Sequence, residues 1–282
     1  MQRRKFIAAL ATTAASCAAQ ARVGAIEFGV CGDAAHFDAA VRFGFDYYEP
    51  EVAEIALMDN ARFAAFKTQV LASPIRCRTF RSFIRRLQVV GESAGAQQAE
   101  LRAYLQQSLD RCSQLGARVV VWGSSGSRNV PAGFSRDRAW QQIQDFLRLA
   151  GDIARQNNLV IGIEPLRKQE SNIINTGGEA LKLLREVNHP NVKMIIDYYH
   201  LRVENEDLDI LRLAQKEIVH LHFANPAGRR WPHNAAEDPQ YQRFFSTVKE
   251  IGYQGGVSIE GNGTFEDDAE AGLRFFRQMV AA

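Results

Sequence analysis

The chain has 282 residues, 46% hydrophobic and 23% charged, with a formal net charge of +2. That is ordinary globular composition, and the length suits one domain the size of a (β/α)₈ barrel, about 250 residues. After the N-terminus no run approaches the roughly 18 apolar residues of a membrane span, so no membrane span is expected.

Residues 1–21 read as a leader. Gln2-Arg3-Arg4-Lys5 puts charge before the apolar stretch Phe6–Ala15, and Ala19-Gln20-Ala21 is a small-x-small cleavage site. The Arg pair followed by Lys5-Phe6 resembles a twin-arginine signal, which implies a periplasmic or exported protein. Cys17 follows Ala14-Ala15-Ser16, which lacks the Leu of a lipobox, so a lipid anchor is the weaker alternative. Removing Arg3, Arg4 and Lys5 takes the formal charge from +2 to −1. The basic balance is thus largely the leader, and no nucleic-acid partner is implied.

From residue 22 to residue 282 strand and helix alternate. Val23–Cys31 reads as a first strand, followed by a helix at Ala34–Phe43. Phe45–Glu49 is a second strand with a helix from Asn60 to Leu71; Ile75–Phe83 is a third, followed by a loop at Ile84–Gln97. A long helix at Ala99–Leu115 closes on Gly116, a natural C-cap. Arg118–Trp122 is the fourth strand and Arg136–Asn157 its helix. The fifth, Leu159–Ile163, ends on Glu164 and precedes a helix at Gly178–Val187. Val192–Asp197, Ile218–His222 and Gly256–Glu260 complete the strands, with helices near Leu208–Lys216, Gln240–Ile251 and Asp267–Val280. Eight such units argue for a single-domain TIM barrel; an open doubly wound sheet would carry a Gly-rich loop after strand one, which is missing.

Four of these strands end on a residue that can bind a metal: Glu164, Asp197, His222 and Glu260. In a parallel barrel the strand C-termini converge on one face. Three carboxylates and an imidazole suit one hard or borderline divalent ion, Mn²⁺ first, with Mg²⁺, Co²⁺ or Zn²⁺ as alternatives. His36, Glu49 and Trp122, at or just past strand ends, are candidates to line a substrate pocket, with Glu51 the weaker of the Glu49/Glu51 pair. His220 shares the strand parity of His222 and reads as a hydrogen-bonded residue one layer below. Cys31, Cys77 and Cys112 have no CxxC spacing and read as small buried hydrophobes.

The motifs Glu164-Pro165-Leu166 with Glu170 six residues on, Asp197-x-x-His200, His220-Leu221-His222 and Glu260 occur together. So do Asn172, Asn175-Thr176 and the segment Gly123-Ser124-Ser125-Gly126 with Arg128-Asn129-Val130-Pro131. In this combination the chain resembles the sugar phosphate isomerase/epimerase family of xylose-isomerase-like barrels, over nearly all of the mature chain. The resemblance implies a sugar substrate, one Mn²⁺-like ion on Glu164, Asp197, His222 and Glu260, and proton transfer by Glu164 and Glu260. It implies that Glu170 and His200 contact substrate oxygens. For the arginine that follows the ligand histidine in such epimerases the candidates are Arg229 and Arg230, displaced by at least one residue.

The expected function is an exported metal-dependent sugar isomerase or epimerase. A lyase or hydrolase acting on 3-keto-glycosides could use the same site. A non-catalytic sugar-binding barrel would have lost ligands that are all present. An endonuclease IV type of enzyme needs a three-zinc site with more histidines than the six here. A homo-oligomer stays open.

Overall fold

The structure is a computed structural model that describes residues 26–281. The leader, its cleavage boundary and Cys17 lie outside the described residues. Eight strands run β1 (Glu27–Cys31), β2 (Tyr47–Glu49), β3 (Thr79–Phe80), β4 (Val119–Trp122), β5 (Val160–Ile163), β6 (Val192–Asp197), β7 (Ile218–Phe223) and β8 (Gly256–Ile259). All pairings are parallel in the order β2-β1-β8-β7-β6-β5-β4-β3. The bridges Tyr48↔Cys77 and Glu51↔Arg81 join β2 to β3 and nearly close a TIM barrel.

The helices are α1 (Phe37–Phe43), α2 (Val52–Leu57), α3 (Asn60–Ala72), α4 (Gln98–Gln114), α5 (Ser125–Arg128), α6 (Arg136–Gln156), α7 (Gly177–Val187), α8 (Tyr198–Val203), α9 (Asp209–Ala214), α10 (Tyr241–Glu250) and α11 (Phe265–Ala281). Helices α3, α6 and α7 start where short polar side chains accept a free backbone N–H: Asp59 from Arg62, Ser135 from Arg138, Thr176 from Glu179. Gly116, with φ 99°, turns the chain after α4 where a side chain would be strained. Short helices α2, α5 and α8 carry no periodic signal and are not legible in the sequence; α8 proves central to the site.

The third strand is far shorter than the Ile75–Phe83 expected from the sequence. Ser82 adopts φ 52°, a left-handed turn that stops pairing directly after Arg81. The outward residues of the strands pack under the helix layer. Phe223, next to His222, is fully buried with ring centroids of Phe244 and Phe245 at 5.6 and 5.2 Å and those of Phe275 and Phe276 at 5.6 Å. Burying one such ring is worth about 1.5–3 kcal/mol, so the aromatic cluster anchors the end of β7 and fixes where His222 points.

Candidate active site

The inward-facing residue at the C-terminal end of each strand forms one ring. Going round, these are Cys31, Glu49, Arg81, Gly123, Glu164, Asp197, His222 and Glu260. Glu164, Asp197, His222 and Glu260 each offer one ligand atom, and these atoms lie within 4.8 Å of one another. The grouping expected from the strand ends is therefore present. His222 Nδ1 sits 2.9 Å from Glu164 Oε1 and 3.0 Å from Glu260 Oε2. Asp197 Oδ1 accepts from Tyr199 N at 2.7 Å, capping α8, while its Oδ2 faces Arg229 Nη2 at 3.4 Å.

Burial by itself would lower His222, but the carboxylates of Glu49, Glu260 and Glu164 around it hold it well above its usual value. Glu260 is held well below the carboxylate range: burial opposes this, and His222 and Arg229 outweigh burial. Asp197 is pushed up to about 6, chiefly by burial, with Arg229 opposing.

Beneath the ring lies a buried polar layer, into which the Glu49 carboxylate reaches from its ring position. Glu49 is fully buried and takes hydrogen bonds from His222 Nε2 at 2.8 Å, His220 Nε2 at 2.9 Å and Ser258 Oγ at 2.6 Å. Tyr47 and Ser258 hydroxyls close the layer at 2.8 Å. His220 is the inward hydrogen-bonded residue expected from strand parity. Glu49, by contrast, is not a pocket residue: it stands under the histidines, so its expected place against substrate is corrected. Glu51 does not line the cavity either; it pairs with Arg81 and Arg85, which do.

Above the ring opens a cavity of about 400 Å³ lined by Glu164, Glu170, His200, Arg229, Glu260 and the 123–126 segment. His200 rides on α8. Its Nδ1 accepts from Arg167 N at 3.3 Å, which puts the proton on Nε2. That buried Nε2 has no hydrogen-bond partner among the described residues; Asp197 Oδ2 at 3.5 Å and Glu170 Oε2 at 4.0 Å lie near without closing a bond. Burial pushes the imidazole down to about 4, so it is neutral near pH 7. Glu170 receives Arg167 Nε at 2.6 Å and Arg229 Nη1 at 3.5 Å. Arg229 takes a left-handed φ of 52°, reaches Glu260 Oε2 at 2.9 Å and lies over the Tyr199 ring at 4.9 Å. Arg230 turns away to the surface and bonds Ala227 O. Of the two arginines, Arg229 is the one that lines the cavity.

Two further expectations are corrected. Trp122 faces outward, fully buried against Phe146 at 4.8 Å and under Arg128 at 5.2 Å, so it cannot line the cavity. The inward residue is its neighbour Gly123, where a Cβ would collide with the Glu164 carboxylate. A glycine is what lets that carboxylate stand beside β4. His36 lies at the surface, bonded to Asp33 at 2.7 Å and stacked on Phe265 at 5.5 Å, away from the cavity. Cys77 and Cys112 are fully buried as expected, whereas Cys31 groups with Glu49 and His222; burial pushes its thiol up, so it is a neutral thiol. Arg81 went unread. Its Nη1 is 3.5 Å from Glu260 Oε1 and its Nη2 3.2 Å from Glu51. The signal was its place at the end of a strand whose limits the pattern left vague.

With this geometry established, residues 37–279 match a family profile described as the xylose isomerase-like TIM barrel. The chain belongs to that family. A relative is L-ribulose 3-epimerase of Methylomonas sp. (strain DH-1), 28% identical over 225 residues, covering 78% of this chain and 75% of that one. Another is 3-dehydro-D-guloside 4-epimerase of Escherichia coli (strain K12), 26% identical over 174 residues, covering 59% of this chain and 65% of that one. The fold matches D-psicose 3-epimerase in the presence of D-fructose, with a TM-score of 0.80 at 18% identity over 91% of this chain and all of that one. It also matches apo 3-keto-D-glucoside 4-epimerase from E. coli, with a TM-score of 0.77 at 19% identity over the same shares. The relatives are sugar epimerases, and at family level this chain is an enzyme of sugar isomerisation or epimerisation. Among the described residues no helix is long and apolar enough to cross a membrane.

Proposed function

We propose that Glu164, Asp197, His222 and Glu260 hold one divalent ion, Mn²⁺ before Mg²⁺, Co²⁺ or Zn²⁺, and that the enzyme epimerises or isomerises a sugar at the carbon beside its carbonyl. The observation that carries this reading is four ligand atoms within 4.8 Å of one another at the floor of a cavity. The donor set fits such an ion: three carboxylates and an imidazole are hard to borderline ligands. His222 fits because Glu49 accepts at Nε2, so that an ion displacing the proton from Nδ1 would find the lone pair there among the carboxylates. Bound there, the ion would supply Lewis-acid stabilisation of negative charge on the substrate oxygens.

The protein's own groups do the rest. Glu164 and Glu260 approach His222 Nδ1 from β5 and β8. One residue, as a carboxylate, takes the proton from carbon and leaves an enediolate; the other, in its protonated acid form, delivers its own proton to the opposite face, inverting the centre. The unpartnered His200 Nε2–H and the Arg229 guanidinium are donors aimed at substrate oxygens, where they stabilise charge as it develops. Glu170 orients Arg229 and accepts from a hydroxyl.

The relatives named 3-dehydro-D-guloside 4-epimerase and 3-keto-D-glucoside 4-epimerase make keto-glycosides a substrate class to test, and with such a substrate the same proton removal has a second outcome. When the group across the new double bond can leave, its C–O bond breaks and the reaction is a lyase. We also carry the twin-arginine leader forward as a proposal of export, which favours unphosphorylated sugars. Metal-loaded protein incubated in D₂O with free ketoses and 3-keto-glycosides tests the reading. Deuterium at the carbon beside the ketone, lost in Glu164→Gln and Glu260→Gln, is expected; absence of exchange from every substrate would overturn it.

A further inference from the structure

His222 serves two clusters. Its Nδ1 faces Glu164 and Glu260 in the group described above, while its Nε2 turns the other way, to Glu49 Oε1 at 2.8 Å. On that second side stands Cys31. Strands β1 and β2 run parallel with Cys31 opposite Glu49 in register, and both residues belong to the inward ring. One ligand atom each from Cys31, Glu49 and His222 lies within 4.8 Å of the others. Glu49 and His222 are fully buried, and Cys31 is the least buried of the three.

The donor set differs from that of the first cluster. A thiol, an imidazole and one carboxylate suit thiophilic divalent ions such as Zn²⁺ and Cd²⁺, whereas three carboxylates and an imidazole suit harder ones. Burial pushes the Cys31 thiol up, so it keeps its proton against a hard ion that gains little from sulfur. An ion that bonds strongly to sulfur deprotonates the thiol outright. The imidazole sets the relation between the two clusters. A neutral imidazole has a single ring lone pair, on one nitrogen or the other. An ion on Nε2 takes that lone pair and leaves a proton on Nδ1, which then has nothing to offer the carboxylate cluster. An ion on Nδ1 leaves Nε2–H donated to Glu49. Serving both at once requires an imidazolate, stripped of both protons.

We propose that Cys31, Glu49 and His222 form a second metal site, selective for thiophilic divalent ions, whose occupation excludes the ion on Glu164, Asp197, His222 and Glu260. Binding releases the Cys31 thiol proton and the His222 Nε2 proton to solvent and replaces the His222–Glu49 hydrogen bond with two bonds to the ion. No electrons are transferred. The site is inhibitory, because it turns the donor nitrogen of His222 away from the cavity.

Cd²⁺ added to metal-free protein tests the site without turnover, through the ultraviolet charge-transfer absorbance of a Cd–thiolate bond. The band is expected in the parent, absent in Cys31→Ser and weakened in Glu49→Gln. Glu164→Gln, which removes a donor from the other cluster alone, should keep it. Saturating Mn²⁺ should suppress the band, and Cd²⁺ should in turn release bound Mn²⁺, read from the paramagnetic resonance of the free ion. No band in the parent would overturn the site, as would a band that survives Cys31→Ser and so belongs to the fully buried Cys77 and Cys112. A band lost in Glu164→Gln would put Cys31 on the same ion as the carboxylates and end the claim of a separate site. A band indifferent to Mn²⁺, in protein that binds Mn²⁺, would overturn the exclusion. Protein that takes up no Mn²⁺ would count against the function proposed above, while the Cd²⁺ band and its loss in Cys31→Ser would still decide the second site.

Discussion

At the scale of single residues, the environment of His222 sets what the site can do. Each of its nitrogens faces a carboxylate, and Glu49 on Nε2 is the one that no other ring member replaces. A carboxylate behind a ligand histidine fixes its tautomer and ring orientation and raises its basicity. Glu49→Gln preserves shape but cannot accept from two histidines and Ser258 as a charged group. Metal affinity is expected to fall about 10–100-fold, with the circular dichroism unchanged. An unchanged affinity by chelator competition would leave Glu49 a fold residue alone. Asp197 gives a pH dependence. Its carboxyl, pushed up to about 6 by burial, takes a proton below that pH in the metal-free protein. A metal must displace that proton as well as the one held on His222, so affinity should fall as pH is lowered through the neutral range and more steeply once pH drops below about 6. Chelator competition at several pH values checks the sign; an affinity that holds steady through that range would contradict it.

At the scale of elements, the ends of β4 and β5 are tied together by Arg128. It is fully buried on α5, donating from Nη1 to Trp122 O at 3.0 Å and from Nη2 to Glu164 O at 2.7 Å. Burial lowers it to about 10, so it stays charged at neutral pH. The segment carrying Glu170 is tied to the same region: Asn172 exchanges hydrogen bonds with Val130 at 2.9 Å in each direction, and Asn175 Nδ2 reaches Leu166 O at 2.7 Å. Arg128→Met removes the clamp and leaves the Glu164 carbonyl unpaired, while Trp122 O keeps its bond from Glu164 N. Stability should fall by about 1–3 kcal/mol, read from urea unfolding, and metal affinity should fall with it because Glu164 loses its anchor. A variant as stable as the parent would show that α5 holds nothing.

At the scale of the whole molecule, the proposed route of export bears on which metal the barrel holds. Oxygen and nitrogen ligands generally bind Mn²⁺ less tightly than Cu²⁺ or Zn²⁺. Selectivity then depends on which metal is present when the barrel closes. A twin-arginine route exports a folded chain, already loaded. Arg3→Lys with Arg4→Lys is expected to abolish export and leave folded, metal-loaded precursor inside the cell, measured by fractionation and metal analysis. Normal export of the double variant would mean an ordinary secretory leader and end the metal-loading argument, leaving the catalytic proposal untouched.

The sequence by itself determined the alternation of strand and helix and the four strand-end side chains that come together as candidate ligands. Both are local: an apolar run ending on a carboxylate or histidine announces itself, and a parallel barrel gathers strand ends whatever their neighbours are. Tertiary structure decided which way the flanking residues point. Trp122 and Gly123 differ by one position, and a one-residue step exchanges the helix-facing and barrel-facing sides of a strand. Glu49 was legible as a strand-end acid, but its partners His222 and His220 are 173 and 171 residues away, so its burial beneath them is settled by strand order. Arg81 was hidden for the opposite reason: a two-residue strand has too little pattern to show its own end, and pairing with β4 and the turn at Ser82 supply it.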